Sequence, residues 1–118
     1  MDICFEGIGQ VTATFQTKDK LLPGMAVALT SSGEVGLHKE EVTGPLCGVT
    51  VSAERGGAVA VQIGGVVKVE CPDEGVPAVG WNTLTCDAKG KVAVSRDGGT
   101  SCLVLAVDAE EKTAVIKL

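Results

Sequence analysis

Apolar and polar residues alternate most plainly from Gln10 to Gln16, where Val11, Ala13 and Phe15 interleave with Thr12, Thr14 and Gln16. A period of two sends successive side chains to opposite faces, so this stretch predicts a strand with one buried and one wet face. The same reading extends along the chain. Met25 to Thr30 follows Pro23-Gly24 and ends at Ser31-Ser32-Gly33, which predicts a hairpin with a short return strand from Glu34 to Leu37. Polar residues from Lys39 to Gly44 predict a loop. Leu46 to Ala53, the turn Glu54-Arg55-Gly56-Gly57, and Ala58 to Ile63 predict a second hairpin, with Val59, Val61 and Ile63 on one face. After Gly64-Gly65, a strand from Val66 to Cys71 places Val67, Val69 and Cys71 on one side, and Pro72-Asp73-Glu74-Gly75 ends it. Trp81 to Cys86 turns at Asp87-Ala88-Lys89-Gly90 into Lys91 to Val94. A loop around Asp97-Gly98-Gly99 leads to Cys102 to Val107, and a turn at Asp108 to Glu111 leads to Thr113 to Leu118.

About ten short strands with turn residues between nearly every pair, and no 3.6-residue period, predict an all-β fold. The expected form is a small antiparallel β-barrel or sandwich of short strands and hairpins, with little or no helix. Residues 10–118 form a single barrel-like domain in this reading, because halves of a 118-residue chain would be too small to bury a sufficient core. Residues 1–9 read as an N-terminal arm or an edge strand. Ile3, Phe5 and Ile8 make this stretch apolar, and no hairpin partner follows it, so all three are candidate interface residues for a neighbouring subunit. A displacement of 56 residues lays Gly24 on Gly80, Val51 on Val107, Ala53-Glu54 on Ala109-Glu110, and Ala58-Val59 on Ala114-Val115. Either an internal duplication (24–59 and 80–115) or the chance similarity of two valine-rich hairpins accounts for it.

Composition sharpens the picture of the core. Phe5, Phe15 and Trp81 are the whole aromatic set, so the core is expected to be aliphatic and dominated by valine and alanine. The formal net charge of −5 removes the electrostatic footprint that phosphate neutralisation needs, and nucleic acid is not an expected partner. No apolar run is long enough to span a bilayer, and Asp2 and Glu6 stand where a secretory signal needs positive charge. A soluble protein made in a cytoplasm, without signal peptide or membrane partner, is therefore expected. The five cysteines, Cys4, Cys47, Cys71, Cys86 and Cys102, include no C-x-x-C pair, and four of them sit among apolar residues. They are expected to be reduced, buried and structural, with no metal.

Candidate chemistry is thin. His38 is the single histidine and has no serine or cysteine signature beside it, so an exposed loop residue is the expectation. The paired carboxylates Glu40-Glu41, Asp73-Glu74 and Glu110-Glu111 all fall in predicted turns or loops, where a raised pKa has no source. The glycine pairs match neither phosphate-binding loop. No catalytic residue, metal site or cofactor is expected. Trp81 carries two readings: a plug for one end of the barrel, or an interface anchor at a strand end.

Several segments together carry a family resemblance: Pro23 to Leu29, Cys47-Gly48-Val49, Val61 to Val69, Val79 to Leu84, Asp87 to Val92, and Ala114 to Leu118. In these the chain resembles a family of small phage and prophage capsid decoration, or head-stabilising, proteins. The resemblance implies a compact β-barrel-like domain on the outside of an assembled shell in the virion, with the major capsid protein of a phage as partner. It further implies a homo-oligomer, with a trimer the preferred state by analogy with three-fold decoration sites. It carries no catalytic residues, and the N-terminal Met1 to Glu6 departs from it. Two other readings stay open from the residues alone. One is another β-type binding module, for a small ligand or carbohydrate or as a phage tail or fibre component; the other, an enzyme, would rest on His38 and scattered carboxylates.

Overall fold

A computed structural model describes residues 10–37, 46–73, 75–95 and 99–118. Ten strands and no helix are found among them: β1 (Val11–Gln16), β2 (Ala26–Ser31), β3 (Glu34–Gly36), β4 (Leu46–Thr50), β5 (Ala58–Gly64), β6 (Val66–Glu70), β7 (Gly80–Cys86), β8 (Val92–Val94), β9 (Thr100–Asp108) and β10 (Thr113–Lys117). The fold is the expected all-β one, and each strand falls within two residues of a segment that alternation and turn residues had marked at its start.

The chain divides at Gly64 into two five-stranded halves. The first is a closed barrel in the order β1-β3-β2-β4-β5, and the second a sheet in the order β6-β10-β9-β7-β8. Their connectivity is the same. β2 pairs antiparallel with β3 and β4, β4 with β5, and β5 with β1; likewise β7 pairs with β8 and β9, β9 with β10, and β10 with β6. They differ at one seam. The barrel closes through a parallel contact of Gln16 with Glu34, where the Gln16 N–H donates to Gly33 O at 2.9 Å, whereas β6 and β8 are the two free edges of the second sheet.

Two aliphatic cores follow from this layout. Leu21, Val27, Val35, Val59 and Val61 fill the barrel, with Phe15 and Cys47 packed against them. The second core lies between the barrel wall and the sheet: Ala26, Ala28, Leu46 and Val49 meet Val69, Leu84, Val92, Val104, Ala114 and Ile116. β2 serves both cores, which is why three successive residues, Ala26, Val27 and Ala28, are all buried. Burial of each valine or leucine contributes about 1.5–3 kcal/mol, so the stability of the molecule rests on these two clusters. Gly48 on β4 has to be glycine on steric grounds, since a Cβ there would run into Gln62 O on the neighbouring strand.

The alternation expected in β5 breaks at its end. Val59 and Val61 point into the barrel, but Ile63 is exposed, and Gln62, on the opposite face and paired with Val49 of the second core, is buried. A bulge opposite Val11 and Thr12 inserts Ile63 as an extra residue and upsets the register. The buried Gln62 amide is satisfied locally, with Nε2 donating to Gly64 O at 3.0 Å and Val66 O at 3.3 Å. In β1 the pattern holds for Ala13 and Phe15, whereas Val11 at the strand's open end is exposed.

Candidate functional site

Trp81 does not plug the barrel. It is the second residue of β7 and is 72% exposed, next to Val79 at 64%. The bend before it is fixed by Asn82, whose Nδ2 donates to Ala78 O at 2.7 Å and Gly80 O at 3.2 Å. Gly80, at φ +114°, takes a conformation that a side chain would strain. Residues directly opposite on paired strands share a face, and Trp81 stands opposite Leu103, Leu103 opposite Lys117, and Lys117 opposite Val66. A row of side chains therefore crosses four strands on the outer face of the second sheet, with the indole at one end. An exposed tryptophan on a rigid strand, beside a second exposed apolar residue, is chemically suited to contact another protein surface. Leu103 was not singled out from sequence, because only the strand register sets it opposite Trp81; Val79 stands two residues before Trp81, and its exposure appears only in the structure.

Ile3, Phe5 and Ile8 lie outside the described residues, as do His38, Glu40-Glu41 and Glu74. Asp73, Glu110 and Glu111 are exposed turn residues. Asp108 Oδ1 accepts hydrogen bonds from the Glu110 and Glu111 N–H groups, at 3.0 and 3.1 Å, so it serves its own turn. Among the described residues no group of three His, Cys, Asp or Glu side chains could hold a metal ion, and no catalytic constellation forms. Cys71, Cys86 and Cys102 are buried thiols of the second core and Cys47 is a half-buried one against the first, while Cys4 is outside the described residues. Burial raises the thiol pKa of Cys47, Cys71 and Cys102, which keeps them protonated and unreactive.

Two open depressions lie where the second sheet fails to close. One, of about 260 Å³, is bordered by Pro72, Asp73 and the turn from Asp87 to Lys91. The other, of about 760 Å³, runs between Lys68 and Glu70 of β6, the segment from Leu22 to Met25, and Lys89-Gly90. Neither has the enclosed apolar shape with convergent polar groups that small-molecule sites show.

The chain matches no protein-family model and no curated protein. Its fold does have counterparts among solved structures. A chain from the capsid of Myoviridae phage XM1 superposes with a TM-score of 0.68 at 12% identity, over 95% of this chain and 84% of that one. The N base of the head fiber gp8.5 of bacteriophage phi29 superposes with a TM-score of 0.58 at 16% identity, over 92% of this chain and 93% of that one. At such identities the likeness is one of fold. Both halves take part in it.

Proposed function

We propose that this protein is a non-enzymatic virion component that binds and stabilises an assembled phage capsid from the outside, as a decoration subunit. The observation that carries this reading is the match of nearly the whole chain to a chain from a phage capsid, reinforced by the match to the base of a phage head fibre. A shared fold does not by itself assign a role. The surface adds support: the exposed Trp81, with Val79 beside it, is the kind of aromatic anchor that binding hot spots use. Many copies on one shell would bind tightly through modest individual contacts. The partner in this reading is the major capsid protein, and the protein is a homo-oligomer, with a trimer the preferred state, located on the virion after synthesis in the host cytoplasm. The head-fibre match favours a second reading, the base of an appendage standing on the capsid, which would use the same docking surface. We also propose that the two halves derive from one duplicated five-strand unit, on the strength of the antiparallel pairings they share.

The test is co-sedimentation of the purified protein with shells assembled from the major capsid protein of the same phage. Saturable binding at a fixed ratio per capsid subunit is expected. A folded protein that leaves the shells bare would rule the decoration role out.

A further inference from the structure

The second sheet ends on an open strand whose hydrogen-bonding groups can be assigned. β6 and β10 pair antiparallel without a break, Val66 opposite Lys117 through Glu70 opposite Thr113. Just beyond the two ends, the Cys71 N–H donates to Lys112 O at 2.8 Å and the Leu118 N–H donates to Gly65 O at 2.9 Å. Bonded pairs alternate along an antiparallel ladder, so residues 65, 67, 69 and 71 bond to β10, and the N–H and C=O groups of Val66, Lys68 and Glu70 point the other way. The Gln62 amide takes up Val66 O from that side. Lys68 and Glu70 face the groove of about 760 Å³, whose far wall holds Leu22, 66% exposed, and Met25. Thr113, opposite Glu70, lines the same groove, and its Oγ1 is buried with no hydrogen-bond partner among the described residues.

The first half shows what is missing. There the strand in the position of β6 meets β3 and closes the barrel through the Gln16 N–H. At a displacement of 56 residues, Gln16 falls on Pro72 and Gly33 on Lys89, and proline has no N–H to donate. The second half therefore stays open, with a strand edge of the kind that proteins pair or cover.

We propose that the free edge of β6 is an assembly site, filled by residues 2–6 of a second copy of this chain as an added strand. Asp2-Ile3-Cys4-Phe5-Glu6 alternates as a strand does and has the same length as β6. With Ile3 and Phe5 turned to the apolar face shared by Val67 and Val69, Asp2, Cys4 and Glu6 share the outer face with Val66, Lys68 and Glu70. Among the described residues the groove lies open. Residues 1–9 can extend about 30 Å from the start of β1, far enough to reach a neighbour. Donation of one segment into a different surface of the next copy is a head-to-tail contact, which closes into a ring when the rotation permits.

Light scattering over a dilution series of the full chain tests this independently of capsid binding. The expected mass is a fixed multiple of 12.0 kDa. The double variant Ile3→Asp/Phe5→Asp, and separately Lys68→Pro, should each reduce it to one chain. Lys68→Pro removes an N–H directed away from β10 and so leaves the ladder intact, and circular dichroism should show an unchanged fold. A wild-type monomer, including one that the double variant merely destabilises, overturns the proposal. So does an oligomer that survives both variants.

Discussion

The Ala26 N–H donates to Gly90 O at 2.8 Å, which ties the first residue of a barrel strand to the β7–β8 turn of the other half. Gly90 has φ +79°, and a Cβ placed there would stand 2.8 Å from Met25 Cβ. Gly24 has φ +87° with open space around it. The pair separates backbone strain from collision. Gly24→Ala should cost about 1–2 kcal/mol from the left-handed backbone alone, and Gly90→Ala a further ~1–3 kcal/mol from overpacking against Met25. Urea unfolding of the two variants measures the difference, and Met25→Ala in the Gly90→Ala background, which keeps Cβ but removes Cε and Cγ at 2.9 and 3.1 Å, should recover part of it.

Thr50 makes a related prediction. Only 2% exposed, its Oγ1 donates to Leu22 O at 2.6 Å and accepts from the Met25 N–H at 3.0 Å, so one hydroxyl holds both ends of the segment leading into β2. Thr50→Val keeps the shape and removes both bonds. The loss of stability should be about 1–3 kcal/mol, because two hydrogen bonds, each worth about 0.5–1.5 kcal/mol, are lost. Hydrogen exchange at Met25 should quicken in the variant.

Those two residues show how the fold divides into what can be read locally and what cannot. The strands were legible because valine alternation and turn residues act within a few positions: the start and end of β2, for example, follow to within a residue from Pro23-Gly24 and Ser31-Ser32-Gly33. The pairing order was not, because β2 with β4 and β1 with β3 are contacts between distant segments whose register no local pattern encodes. Gln62 gave no sign of burial, since it keeps the polar phase of the β5 alternation and is buried only because it stands beside Val49 on the barrel face that the second core covers. Trp81 was recognisable as unusual, but a tryptophan after a glycine at a strand start looks the same whether it faces a barrel mouth or water. Only the placement of the sheet's outer face decides.

The titration of the thiols gives a prediction with a definite sign. Burial raises the pKa of Cys47, Cys71 and Cys102 from an ordinary value of 9.0, so above that value the unfolded chain loses protons that the folded chain keeps. The unfolded state then binds fewer protons, and stability falls as pH rises. Full stability should be present below about pH 8 and decline from about pH 9 upward. Thermal melts across this range check the decline. Replacing Cys71 and Cys102 by alanine should flatten it, though at a cost in packing that lowers the melting temperature at every pH.

Trp81→Ala distinguishes the exposed anchor from any structural role. A tryptophan inserted in a core would cost about 3–5 kcal/mol on truncation, whereas a side chain standing in water costs within about 0.5 kcal/mol. At 72% exposure the second figure applies, so the melting temperature and the urea midpoint should stay close to those of the wild type. If the indole is a hot spot for the capsid, the same substitution should weaken shell binding by about 2 kcal/mol, roughly thirtyfold. Thr83→Ala serves as a control, since Thr83 is an exposed β7 residue on the same face, away from the apolar row. Unchanged shell binding by Trp81→Ala would move the docking surface off this face of the sheet. Loss of folding would contradict the exposed position of the indole.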